Sequence, residues 1–456
     1  MTLFFTNPIQ SGEQKLSLKF TGEVNNKLKG FYRSTYHNLE GQVKTCAITQ
    51  FEATDARRCF PCWDEPAIKA SFSCSLTISS DLIALSNMPV VKETKINNYL
   101  KRVDFDTTPI SPTYLVAFFV GEADFVEKVT NKGVTVRVYT PLGKADHGNY
   151  ALDHAVKCLE FYEEYFKVEY PLPKMDMIAL EDFCCGAMEN WGLITYRATA
   201  ILVDPDFCST ETKMYVSIVV AHEIAHQWFG NLVTMEWWTY LWLNEGFAEF
   251  MEYLATDRIR PEYEMFKIFI KDDFAMGMEL DSLDSSHPVE VPVNHPAEVD
   301  EIFDHISYKK GASIIRMLHS WIGDDCFRNG MGKYLSKFAY SNTLTEDLWD
   351  CLEEASGKPV RDVMSTWVNQ KGFPLITFER TAKDTIKLSQ QKYSANGPND
   401  SKFLWRLPIS FCNSKSPNSA VKTVIMNDRE MILQDSVFDD DWIKVNSGTY
   451  GFYRFD

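Results

Sequence analysis

Between Val219 and Glu249 the chain places two histidines four residues apart, His222 and His226, with Glu223 directly after the first and Glu245 eighteen intervening residues after the second. Residues i and i+4 lie one above the other on a helical face, so the two imidazoles can converge on one ion, and imidazole nitrogens suit zinc. Glu223 points about a quarter-turn away from His222, toward the metal's open position, where a carboxylate takes a proton from water; it reads as a general base and not as a ligand. The third ligand must come from another element. Glu245 sits in an apolar and aromatic stretch, Leu241 to Leu254, that reads as a second helix. Three protein ligands leave a fourth position for water, so the expected cofactor is one Zn2+ per chain and the chemistry is hydrolysis by metal-activated water.

These residues need a buried frame. Val216, Val219, Val220, Ile224, Trp228 and Phe229 make the first helix largely apolar, and buried histidines left unpaired beside a carboxylate would be costly. Before about residue 140 apolar and polar positions alternate, as in Leu16–Phe20, Ala70–Ile78 and Val134–Tyr139, which predicts antiparallel sheet with no helix of length. From Tyr150 the period changes. Ala151–Phe166 has helical spacing, Met177–Leu180 reads as a short strand, and amphipathic helices follow to about Trp367. Gly372-Phe373-Pro374 punctuates the end of that region, and Thr385–Ser389, Val421–Ile425 and Trp442–Val445 read as strands of a small β-sandwich. The expectation is a multidomain α+β chain divided into 1–142, 143–374 and 375–456.

Upstream of the histidines lies Gly186-Ala187-Met188-Glu189-Asn190. Together with the zinc motif this segment resembles the gluzincin zinc aminopeptidases. Gln50–Pro66, Phe229–Trp238 and Glu301–Ser313 are similar to the puromycin-sensitive aminopeptidase branch of that family. The resemblance implies a β-rich N-terminal saddle, a thermolysin-like, mostly helical catalytic domain and a β-sandwich. It implies that Glu189 and Glu52 bind the α-ammonium of a peptide with a free N-terminus, that Tyr308 donates to the oxyanion, and that Gly186, Ala187, Met188 and Asn190 belong to the substrate-binding segment. Met188 and Phe51 would line the pocket for the first side chain. It also implies that the family's opening strands and C-terminal helical domain are absent, leaving an unpaired sheet edge and an open chamber. The function expected is removal of the first residue of a peptide. The alternative is a weakly active or non-catalytic peptide-binding paralogue or truncated product.

Bulk properties set bounds. The 456 residues are 45% hydrophobic and 24% charged, as in globular chains, and the formal charge of −17 argues against nucleic acid or an anionic membrane as partner. Eleven cysteines without framework spacing favour a reducing, cytoplasmic setting. Cys59-Phe60-Pro61-Cys62 has no second pair at metal-ligand spacing and reads as structural. Neither a signal peptide nor a membrane span is visible. Asn399-Asp400-Ser401 has the form of a glycosylation acceptor. Sequence leaves the preferred first residue and the oligomeric state open.

Overall fold

The computed structural model describes residues 2–456 apart from 39 and 398–401; the acceptor at Asn399–Ser401 lies outside the described residues. The N-terminal region is β-rich. An antiparallel four-stranded sheet runs in the order Gly30–His37, Val43–Gln50, Phe118–Gly121 and Ile83–Ser86. A second sheet joins Ser73–Ser79, Leu100–Thr107 and Val90–Lys95. Alternation is clear in the first strand, where Tyr32, Ser34 and Tyr36 are buried while Arg33, Thr35 and His37 are exposed. Leu16–Phe20 departs from expectation. It forms no strand, and Leu16, Leu18 and Phe20 are all exposed. Alternating apolar residues make a strand only where a ladder partner receives them, and none of the described residues does so here.

A five-stranded sheet carries the frame of the site, in the order Ala187–Met188, Leu193–Arg197, Lys174–Leu180, Thr135–Thr140 and Asp124–Val129. Its central strand, Lys174–Leu180, is parallel to both neighbours and buried along its whole length, its two charged residues, Lys174 and Asp176, pairing with each other at 2.8 Å. The sheet crosses residue 142. Helix α1 (Asn149–Phe166) packs on its Asp124–Val129 and Thr135–Thr140 edge and also contacts α2 (Thr210–Ala225) and α3 (Trp242–Ile259). Ser209 caps α2 by accepting from the Thr212 amide at 3.0 Å. Helix α3 is buried from Trp242 to Thr256. It can approach the helix Gly311–Ile322 closely because glycines meet at the crossing: a Cβ on Gly246 would lie 3.2 Å from the Gly311 backbone.

Just before that helix, Ile306–Lys310 forms a π-helical turn in which the Lys310 amide reaches back to the His305 carbonyl at 3.1 Å. Such wide turns hold one residue more than an α-helical turn. The C-terminal β-sandwich has one sheet of Glu430–Gln434, Thr385–Lys392, Pro374–Ala382 and Arg454–Phe455. The other consists of Lys422–Met426, Leu407–Asn413 and Ile443–Val445. Ile376, Leu388, Trp405, Leu407 and Phe411 are fully buried between and beside the two sheets. Among the described residues no helix is long and apolar enough to cross a membrane.

One buried group in this frame makes stability depend on pH. His154, fully buried on α1, has its imidazole pushed down to about 3 by burial and by the Arg260 charge. It stays neutral in the folded protein, while the unfolded chain takes up a proton below about pH 6.5. The stability contributed by neutral His154 is therefore complete above that pH and falls, by at most about 1.4 kcal/mol per pH unit, as acidity increases toward pH 3. Urea midpoints measured between pH 7 and 4 should fall less steeply for His154→Phe than for the parent chain; equal slopes would remove His154 from this role.

Candidate active site

The two histidines occupy the end of α2, His222 in its last turn and His226 at the C-cap. Their Nε2 atoms face each other at 3.0 Å. Glu245, in the first turn of α3, brings Oε2 to 3.4 Å from His222 Nε2 and 3.3 Å from His226 Nε2. Both rings are fixed from behind, because His222 Nδ1 lies 2.7 Å from Glu252 Oε2 and His226 Nδ1 lies 2.9 Å from the Phe229 carbonyl. A proton on each Nδ1, donated to those oxygens, leaves two Nε2 lone pairs aimed at one point beside a carboxylate. Lone pairs so placed repel one another unless a cation lies between them, and His222, His226 and Glu245 form a group able to hold a metal ion.

Glu223 faces this group from α2. It is buried, its Oε2 has no hydrogen-bond partner among the described residues, and burial raises its carboxyl to about 8 against the pull of His222 and His226. Tyr308, on the π-helical turn, lies nearly parallel to the His222 ring, 6.2 Å between centroids and 10° between planes. Burial and the charges of Glu245, Glu52 and Glu189 raise its hydroxyl well above the ordinary tyrosine value, which keeps it a donor. A cavity of about 500 Å3 opens beside it, lined in part by Leu280, Phe303 and His305.

Glu52 follows the strand Val43–Gln50, and Glu189 follows Ala187–Met188; carboxylate oxygens of Glu52, Glu189 and Glu245 all lie within 4.8 Å of one another. Both Glu52 and Glu189 keep an Oε1 that is shielded from water and has no hydrogen-bond partner among the described residues. Burial, with the neighbouring carboxylates, pushes both groups up. Their crowding is relieved by a cation.

Residues 150–367 match the Peptidase family M1 domain, and residues 1–115 match the Peptidase M1 N-terminal domain. The chain belongs to peptidase family M1. It is 49% identical over 468 residues to Aminopeptidase M1 of Arabidopsis thaliana, a match covering 100% of this chain and 52% of the relative. It is 45% identical over 460 residues to the puromycin-sensitive aminopeptidase of Caenorhabditis elegans, covering 100% of this chain and 48% of the relative. With human Endoplasmic reticulum aminopeptidase 1 it shares 43% over 467 residues, 96% of this chain and 49% of the relative. The M1 chain described here thus spans about half the length of the curated relatives it matches.

Within this M1 chain the Gly186–Asn190 segment is anchored to the histidine helix. Gln227 and Asn231 donate to the Glu189 carbonyl at 3.3 and 2.9 Å. Ala187 and Met188 pair with Tyr196 and Thr195, and no side chain crowds Gly186, where the nearest atom to an added Cβ is the Tyr215 hydroxyl at 3.8 Å. Met188 is buried, with the Gln50 amide 3.3 Å from its sulfur. Two expected residues turn elsewhere. Asn190 donates to Thr195 Oγ1 at 3.3 Å inside its own hairpin, and Phe51 packs edge-on against Phe60 and Phe118 in a separate apolar cluster.

Sequence reading missed three groups. Glu252 orients His222; Lys309 bridges Glu249 and Asp273, 2.5 Å from an oxygen of each; and Lys310 pairs with Asp281 at 2.8 Å. Glu245, Glu249 and Glu252 recur at i, i+4 and i+7 on an otherwise apolar helix, a spacing that marks one face with acid. That pattern was the available signal for the first two groups.

Proposed function

We propose that the chain is a zinc-dependent aminopeptidase acting on peptides with a free N-terminus. The observation that carries this reading is the set of three converging carboxylates, Glu52, Glu189 and Glu245, directly beside two histidines whose Nε2 atoms meet. Two of those carboxylates suit an ammonium ion, and the third belongs with the histidines. His222, His226 and Glu245 would hold the zinc, which when bound supplies Lewis acidity toward water and toward the carbonyl of the scissile bond.

The remaining steps belong to side chains. Glu52 and Glu189 receive the α-ammonium of the peptide through charge-assisted hydrogen bonds, which sets the first peptide bond, and no later one, over Glu223. Glu223 takes a proton from the attacking water and returns it to the leaving amine. Tyr308 donates to the oxygen on which negative charge develops, and its stacking against His222 fixes where that donor points. The Gly186–Met188 backbone offers its edge to the substrate main chain. Products are a free amino acid and a peptide shortened by one residue.

The free amine is the discriminating feature. Purified chain loaded with zinc should release arylamine from leucine and alanine arylamides, and N-acetylation of the same substrates should lower kcat/KM by at least about 100-fold, since it removes the charge that two buried carboxylates await. Equal rates on acetylated and free substrates would exclude the ammonium anchor; one zinc per chain without turnover of either would favour a peptide-binding role.

A further inference from the structure

The loop that leads into Gly186 carries adjacent cysteines, Cys184 and Cys185, whose sulfurs lie 3.4 Å apart. Both are exposed, whereas Cys46, Cys158, Cys351 and Cys412 are buried and the other five are half-buried. The loop backbone is held firmly while the thiols stay accessible: Arg197 donates through Nη2 to the Phe183 and Cys184 carbonyls at 3.1 and 3.0 Å, and through its amide to the Gly186 carbonyl at 2.9 Å. Gly186 begins the segment that runs along the metal-site group, and Glu52 and Glu223 are close enough for their charges to act on Cys185.

We propose that Cys184 and Cys185 form a reversible thiol-modification site at the rim of the cleft, with Cys184 attacking and Cys185 resolving, and a small disulfide of the glutathione class as co-reactant. The chemistry balances without another oxidant. The Cys184 thiolate attacks one sulfur of the small disulfide, whose S–S bond breaks; one thiolate leaves and is protonated, and a mixed disulfide remains on Cys184. Cys185 then loses its proton to solvent and attacks the Cys184 sulfur, expelling the second small thiol. Two protein thiols are oxidised by two electrons, and one small disulfide is reduced to two thiols.

The order of roles follows from the pair itself. The hydrogen bond shared with Cys185, in which either sulfur can donate, and the charge of Lys29 nearby bring the Cys184 thiol down to about 7 although burial opposes this. Cys184 is thus the better attacking group near neutrality. Reversibility follows from covalent geometry. Neighbouring Cα atoms are about 3.8 Å apart, below the roughly 4.4–6.8 Å that disulfides favour, so the closed ring is strained and readily reduced. Because the ring includes the Cys184–Cys185 peptide, directly ahead of Gly186, closing it displaces the edge offered to substrate. This effect on turnover rests on the aminopeptidase reading, whereas the thiol chemistry does not.

The test treats the whole chain with excess oxidised glutathione at neutral pH, then maps blocked cysteines by alkylation and peptide mass spectrometry. The expected product is a Cys184–Cys185 disulfide in the parent chain and a stable glutathione adduct on Cys184 in Cys185→Ser. Reaction at this loop should be roughly tenfold or more slower in Cys184→Ser. Circular dichroism establishes that both variants are folded. Modification mapped to Cys59 and Cys62 instead, or Cys184→Ser reacting at the parent rate, overturns the assignment. In parallel, arylamide turnover should fall on oxidation, recover with dithiothreitol, and be insensitive in the double Ser variant; turnover unchanged by a fully formed disulfide overturns control of the cleft. A parent chain inactive before oxidation rejects the aminopeptidase reading and leaves the mass result to decide the thiol site.

Discussion

Replacing Glu223 with Gln is expected to lower arylamide hydrolysis by about 10²–10⁴-fold while leaving the zinc content unchanged. The substitution keeps the shape of the side chain but removes its ability to accept a proton. It should not disturb folding, because Glu223 Oε2 makes no hydrogen bond that Gln would break. Nor should it loosen the metal, since the donor group consists of His222, His226 and Glu245 without Glu223. Glu245→Gln makes the contrast: it weakens an anionic donor that lies 3.3–3.4 Å from both imidazoles, so activity and zinc should be lost together. Metal analysis after dialysis, run beside the rate measurement, separates the two. Hydrolysis by Glu223→Gln within tenfold of the parent would sink the general-base assignment.

The largest effect on stability is expected at Lys310→Met. Lys310 and Asp281 are both wholly buried and form an ion pair at 2.8 Å. The ammonium also donates to the Gln370 and Gly372 carbonyls at 3.2 and 3.1 Å, while Asp281 accepts from the Gly372 amide and the Ser286 hydroxyl at 2.7 Å each. Methionine fills most of the volume but strands a carboxylate and two carbonyls in an apolar interior. Removing one partner of such a pair costs about 3–5 kcal/mol, because the other charge stays buried without compensation. Urea unfolding should show a loss of this size, and Lys310→Met combined with Asp281→Leu should recover a large part of it. A single-variant loss below about 1 kcal/mol would mean that water reaches the pair. Since Gly372 closes the helical region just ahead of the strand Pro374–Ala382, the same pair fastens the β-sandwich to the turn that carries Tyr308.

The sequence makes the candidate metal group legible because its signal is local: two histidines one helical turn apart and an apolar helix around them. Glu245 is readable for the same reason, as an acid in a buried stretch. The groups that hold this assembly are not readable in that way. Lys309 meets Glu249 and Asp273 across 60 and 36 residues, and Lys310 meets Asp281 across a helix and a loop. Each is an ordinary lysine until the fold encloses it. Tyr308 is one of twenty tyrosines, and family resemblance alone singled it out. In the β regions, Thr385–Ser389 and Trp442–Val445 predict strands that the structure contains, with small shifts at their ends. Leu16–Phe20 shows the limit of that reasoning, since pairing is a property of two segments and periodicity reports only one.

The turn at Ile306–Lys310 sends three consecutive side chains in three directions: Tyr308 against His222, Lys309 to α3 and Asp273, and Lys310 into the pair with Asp281. A substitution there alters one of these at a time. Deleting a single residue would do something different in kind, restoring ordinary α-helical winding and rotating everything on one side of the cut by about 100° relative to the other. All three contacts would be lost together, in a segment whose composition looked as helical as before. The number of residues in the turn is therefore as much a part of the site as any side chain it carries.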